Sequence, residues 1–266
     1  MNDPYCSQVC REAGEAQAGT ADTVDVWLML EYRGTWGPQV VTDNALDAAF
    51  RAWFEGYAET FRAQGKRVRP QFIKQQTSGE LRLFTMEGER ILQRAALDYD
   101  GFTRAADTQI ADHLYFVCTH GQRDRCCSEF GMPVYRALRE RLGDRVFQTS
   151  HLGGHRYAPN VLVAPNAVMY GRVSPDDLDG FLARTESGLM ALEFARGRTC
   201  YEPAVQAAEI LAAEHSSLIE SRAESESRWA VVFEQRTVQL VGQPTLGVAS
   251  CGDVKQKAGI AFSLAS

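Results

Sequence analysis

Between residues 24 and 32 the chain is almost wholly apolar, rich in Val, Leu and Trp, and Arg33-Gly34 closes the run. A short apolar stretch bounded by a turn signal predicts a buried strand. The spacing then changes. Leu46, Ala49, Phe50, Trp53, Phe54, Tyr57 and Phe61 recur at helical intervals and predict a long helix with one wide apolar face. Thr42 or Asp43 is the expected cap at its start, and Gly65 lies just past its end. Residues 67–75 and 81–86 read as strands, the second turning at Glu87-Gly88 into a further strand at 90–93. The order is β-α-β-β.

The pattern then repeats. Residues 113–118 form an apolar strand ending at His120-Gly121, and a short helix at 134–142 has Pro133 near its first turn and Gly143 after its last. A strand at 146–150 leads into a His-Leu-Gly-Gly-His loop. Residues 160–164 and 168–173 make a hairpin around Pro165-Asn166, followed by a helix with Ser174 as cap, Pro175 at its first position and Leu178, Phe181, Leu182 and Thr185 on one face. Small matches at nearly one offset support a duplication: Leu81-Arg-Leu-Phe84 with Val161-Leu-Val-Ala164, and Asp98-Tyr-Asp-Gly-Phe102 with Asp177-Leu-Asp-Gly-Phe181. The expected fold class is therefore α/β, thioredoxin-like, with two tandem βαββα-type domains, and Glu31 of the first falls where Cys118 falls in the second. The expected divisions are a first domain at 1–105 without ligands, a second at 106–200, and an extension at 201–266 that packs on the core. That extension reads as a helix from residue 203 to about 215, a polar exposed stretch at 220–228 and an alternating hairpin or edge strand at 229–241.

Composition narrows the function classes. The chain has 266 residues, 45% of them apolar, enough for a substantial core. Its net charge of -6 and lack of a Lys/Arg run argue against nucleic acid as a partner. No stretch has the roughly 18 to 20 continuous apolar residues of a spanning helix, and the start, Met-Asn-Asp-Pro-Tyr-Cys, lacks a leader pattern. No membrane association and a cytoplasmic location are expected. The cysteines number seven, an odd count that favours metal or redox chemistry over a disulfide framework.

The chemistry concentrates in Cys118-Thr-His-Gly-Gln-Arg-Asp-Arg-Cys126-Cys127 and His151-Leu-Gly-Gly-His155. Each pair of potential ligands follows a predicted strand, and the paired glycines let the backbone turn tightly enough for both imidazoles to face one centre. Two Cys and two His fit tetrahedral zinc as readily as a [2Fe-2S] centre, so ligand type alone leaves both open. A closed four-ligand zinc site would leave no position for a hydrolytic water. Arg123, Asp124, Arg125 and Arg156 read as a docking patch or a solvated charged loop. His120 reads as a support rather than a ligand. Cys6 and Cys10 carry no assigned role, nor does Cys251-Gly252, a single thiol beside a turn residue.

Several strings in fixed order resemble the sucrase/ferredoxin-like family: Phe116-Val-Cys-Thr-His-Gly-Gln-Arg-Asp124, Cys126-Cys127, Phe130-Gly131, Ser150-His-Leu-Gly-Gly-His-Arg156, Asn160-Val-Leu-Val163 and Tyr170-Gly-Arg-Val173. Gly19-Thr-Ala21 and Trp27-Leu-Met-Leu-Glu-Tyr-Arg-Gly-Thr-Trp-Gly37 are similar to the family's opening segment. The resemblance implies a thioredoxin-like ferredoxin whose [2Fe-2S] cluster is held by Cys118 and Cys127 on one iron and His151 and His155 on the other. The family's eight-residue spacing selects Cys127 over its neighbour Cys126, which becomes a spectator. The implied role is single-electron transfer, proton-coupled through the imidazoles, or redox sensing, with unidentified reductase and acceptor proteins as partners. The family name does not imply glycoside cleavage, because no acid/base carboxylate pair is evident.

Overall fold

The computed structural model describes residues 4–75, 79–251 and 256–265. A short helix α1 (Cys6–Glu12) precedes β1 (Val26–Glu31), α2 (Ala48–Arg62), β2 (Val68–Lys74), β3 (Leu81–Glu87), β4 (Arg90–Ala96) and an edge strand β5 (Thr108–Ile110). The order returns as β6 (Leu114–Cys118), α3 (Arg125–Leu142), β7 (Val146–Thr149), β8 (Asn160–Ala164), β9 (Val168–Gly171) and α4 (Leu178–Thr185). Next come β10 (Ala195–Arg198) and α5 (Pro203–Leu211), then a four-stranded meander of β11 (Leu218–Ser225), β12 (Arg228–Phe233), β13 (Thr237–Val248) and β14 (Gln256–Leu264).

Strands β1 to β10 form one sheet in the order β10-β9-β8-β6-β7-β2-β1-β3-β4-β5. In each half the leading strand lies between a parallel partner, reached through a helix, and an antiparallel partner that opens a hairpin: β1 between β2 and β3, β6 between β7 and β8. This is an α/β, thioredoxin-like arrangement, with the same strand order on both sides. The halves join edge to edge where β2 runs antiparallel to β7, Ile73 opposite Thr149 and Lys74 opposite Gln148.

Alternation along the strands explains the layering, since successive side chains point to opposite faces. In β1, Val26, Leu28 and Leu30 pack with Phe50, Phe54 and Ala58 of α2, whereas Trp27 and Met29 face the other way. In β6, Tyr115 and Val117 pack with α3 and α4, whereas Leu114, Phe116 and Cys118 join Trp27 and Met29. The helix-free faces of the two halves thus share one core. The sheet curls enough for Phe84 of β3 to meet Phe147 of β7 at 5.2 Å and Phe116 of β6 at 5.9 Å between ring centroids. Glu31 ends β1 as Cys118 ends β6, and there it is fully buried against Arg82 and Arg33.

Two expectations need correction. Helix α2 is capped by Asp47, which accepts the Phe50 amide at 2.8 Å, and not by Thr42 or Asp43. Helix α3 begins at Arg125, well before residue 134, and carries Pro133 inside it. A proline removes one donor from the helical ladder, but the Asp124 cap and the buried Val134, Tyr135 and Leu138 hold the helix through that gap. In the extension, the exposed polar stretch is strand β11, and β14 carries no clear apolar period because most of its residues are exposed. Gly252 lies outside the described residues. Among the described residues no helix is long and apolar enough to cross a membrane.

The Asp47 cap supplies a direct test. Asp47→Ala should cost about 1 kcal/mol and lower the melting temperature by a few degrees, as read by circular dichroism; an unchanged melting curve would show that the cap contributes nothing.

Candidate metal centre

Cys118 reaches the shared core because it is the last inward-facing residue of β6, and it is 1% exposed. Asp124 caps α3 by accepting the Cys126 amide at 2.9 Å, which puts Cys126 and Cys127 in the helix's first turn. Unpaired amides and the helix dipole favour thiolate there. Neighbouring helical residues point about 100° apart, from 3.6 residues per turn, so the two thiols part company. Cys127 joins Cys118 and His151, their donor atoms all within 4.8 Å of one another, with Cys127 Sγ 3.5 Å from His151 Nδ1. Cys126 Sγ turns instead toward Cys6 Sγ, 3.5 Å away.

The shared hydrogen bond shifts the two thiols in opposite directions. A hydrogen bond from Cys127 holds Cys118 well below the ordinary thiol range against the opposing effect of burial, and His151 and the Leu152 amide add to it. The same bond, together with burial, pushes Cys127 up.

The histidine loop is fixed from both halves. The Ser150 amide donates to Phe72 O at 2.7 Å, and Arg69 Nη2 and Gln71 Nε2 donate to the His151 carbonyl at 3.0 and 3.2 Å. Gly153 and Gly154 adopt φ of +91° and +65°, backbone that side chains with a Cβ rarely take up. A Cβ on Gly154 would also fall 2.3 Å from Arg196 Nη2. Arg196 itself is 1% exposed, donates to Gly153 O at 3.1 Å and Asn160 Oδ1 at 2.8 Å, and is pushed down to about 10 by burial.

His155 sits beside His151, ring centroids 5.2 Å apart. Its Nε2 lies 2.6 Å from Ala249 O and 3.7 Å from Asp124 Oδ2. A carbonyl only accepts, so Nε2 carries the hydrogen and the neutral ring keeps its lone pair on Nδ1. Burial pushes this histidine down, which favours that neutral form. Nδ1 is buried with no hydrogen-bond partner. A buried lone pair without a donor is costly unless something else fills it. Cys118, Cys127 and His151 make a donor set that fits an iron-sulfur or zinc centre, whereas His155, with its free lone pair, stands next to His151 and outside the group whose donor atoms all lie within 4.8 Å.

His120 is 3% exposed; its Nδ1 accepts the His151 amide at 3.3 Å and its Nε2 pairs with Gly37 O at 2.9 Å, so it positions the loop. Two members of the expected charged patch are not surface charges at all: Asp124 is buried as the α3 cap, and Arg156 is buried against Glu15. Sequence reasoning misses the parts played by Arg196 and Ala249. An aspartate directly before Arg-Cys-Cys was the available signal for the earlier helix start.

The Sucrase/ferredoxin-like family profile matches residues 17–197. Similar curated proteins are the "Altered inheritance of mitochondria protein 32" of Meyerozyma guilliermondii, 30% identical over 42% of this chain and 42% of that protein, and its namesake in Debaryomyces hansenii, 34% identical over 31% of this chain and 34% of that protein. The matches thus span about two fifths or less of those relatives' length. Among solved structures, the wild-type thioredoxin-like [2Fe-2S] ferredoxin from Aquifex aeolicus is 22% identical, covering 32% of this chain and 97% of that one, with a TM-score of 0.29. Its Cys59Ser variant is 23% identical, covering 31% of this chain and 96% of that one, with a TM-score of 0.28.

Proposed function

Since this chain belongs to the sucrase/ferredoxin-like family, we propose that it is an electron-transfer protein holding a [2Fe-2S] cluster on Cys118, Cys127, His151 and His155. One observation carries the reading: Cys118, Cys127 and His151 converge within 4.8 Å, beside a buried His155 Nδ1 that has no hydrogen-bond partner. Such a cluster supplies one-electron chemistry, at a higher potential when imidazoles replace thiolates.

The chain's own residues prepare the ligands. Ala249 O keeps the hydrogen on His155 Nε2 and so frees Nδ1, while Arg69 and Gln71 hold the His151 carbonyl. A groove lined by Arg69, Gln71, His120, Arg123, Ser150 and His151 opens beside the site. In this reading it is where reductase and acceptor proteins dock. We take residues 1–105 and 106–200 as tandem domains, the second bearing the cluster, with 201–266 as an extension; their common strand order supports this. Seven free thiols suit a reducing compartment, the cytoplasm in this reading.

The test is anaerobic reconstitution of the full chain with iron and sulfide. A red-brown product with a rhombic EPR signal after dithionite is expected, whereas a colourless one whose zinc disappears with Cys118→Ser would reject the reading. His155→Cys should then lower the midpoint potential by on the order of 100 mV in a redox titration; an unchanged or higher value would remove His155 from the ligand set.

A further inference from the structure

A second group of sulfurs lies next to the first and shares none of its ligands. Cys6 of α1, Cys126 of α3 and Cys251, which follows β13, come together from three distant parts of the chain. Cys126 Sγ is 3.5 Å from Cys6 Sγ and 3.1 Å from Cys251 Sγ. Asp124 completes the group: its Oδ1 accepts the Cys126 amide at 2.9 Å and its Oδ2 the Cys251 amide at 3.1 Å. The donor atoms of all four residues lie within 4.8 Å of one another. Cys6, Cys126 and Asp124 are buried, at 1%, 0% and 6% exposure.

We propose that Cys6, Cys126, Cys251 and Asp124 form a second metal site, which takes a zinc-class divalent cation.

Three arguments support it. Thiolates with a carboxylate are donors that zinc accepts, and with Zn–S near 2.3 Å a tetrahedral ion spaces its sulfurs about 3.8 Å apart. The observed separations need only a small outward shift to reach that spacing. Secondly, three thiolates and one carboxylate around a divalent ion leave the same net charge as a four-cysteine zinc site, the thiol protons passing to solvent. A disulfide is a poorer account, because Cys126 is close to two thiols and bonding to either strands the other. Thirdly, Ser7 Oγ donates to Cys126 Sγ at 3.3 Å, a hydrogen bond of the kind that orients a ligating thiolate. The ion would join the N-terminal helix, the start of α3 and the C-terminal meander at one point.

The test is metal analysis of the full chain, kept under a reductant and reconstituted anaerobically with iron and sulfide so that the first site is filled, then loaded with zinc chloride and freed of loosely bound ion. One zinc per chain is expected in the wild type and in Cys118→Ser, which destroys the first site. Cys251→Ser should weaken zinc binding at least tenfold while iron loading at the first site persists. Cys200→Ser, outside both groups, should change nothing. An X-ray absorption edge fitted by three sulfur neighbours and one oxygen would support the ligand set. Zinc that survives Cys251→Ser, zinc that is lost with Cys118→Ser, or a reduced wild type that binds none would each overturn the proposal. Cys251 is only partly buried, so its serine variant tests the site even if Cys6→Ser or Cys126→Ser fails to fold.

Discussion

Cys118→Ser is expected to leave the full chain unable to gain visible charge-transfer bands when iron and sulfide are supplied anaerobically. The thiol is 1% exposed, ends the central strand β6 and is held well below its usual range by the Cys127 hydrogen bond. Serine is close in shape but keeps its proton near neutral pH and offers a much weaker iron ligand, so the ligand should vanish while the fold stays. Far-UV circular dichroism should match the wild type, which separates loss of a ligand from loss of structure. Cys10→Ser, at a buried thiol beside Arg172 and away from the site, should keep the bands. If Cys118→Ser develops full-intensity bands, the assignment of this sulfur collapses.

Gly131→Ala should produce the second large effect. On an open helix face the change would be mildly favourable, by up to about 1 kcal/mol. Here α3 lies so close to the end of β6 that an added Cβ would stand 2.1 Å from the Cys118 carbonyl oxygen. That oxygen belongs to the backbone of a buried strand and cannot rotate away. Helix and strand must separate, at about 1–3 kcal/mol, and the displacement falls on the very residue that carries the sulfur. The melting temperature should fall by several degrees, and iron bound per chain should fall with it. Gly56→Ala is the matched control: Gly56 is an exposed residue of α2 with nothing within 4 Å of its added Cβ, so the melting temperature should rise. A common sign for the two variants would refute the steric argument.

Local period explains what was legible. Strands β1 and β6, the face of α2 and the hairpin of β8 and β9 follow from spacings of two or of three to four residues, which reflect burial on one face at a time. The meeting of Cys118, Cys127 and His151 was legible too, since these donors sit in two short segments. Other features leave no local trace. Pro133 hides the first two turns of α3, because the cap and packing that override it are tertiary. The pairing of β2 with β7 consists of backbone hydrogen bonds, which any side chain could accompany. Cys6 and Cys251 each lie more than a hundred residues from Cys126, so no spacing announces their meeting.

The junction of β2 with β7 carries a further consequence. Each strand satisfies the other's main-chain groups, and the aromatic contact of Phe84 with Phe147 spans the same boundary. Cutting the polypeptide near residue 105 would therefore yield two pieces with bare strand rims and an uncovered greasy surface. Bare rims recruit other chains, so recombinant fragments should be prone to cross-pairing and fibrillar clumping, and mixing them should restore the missing partner.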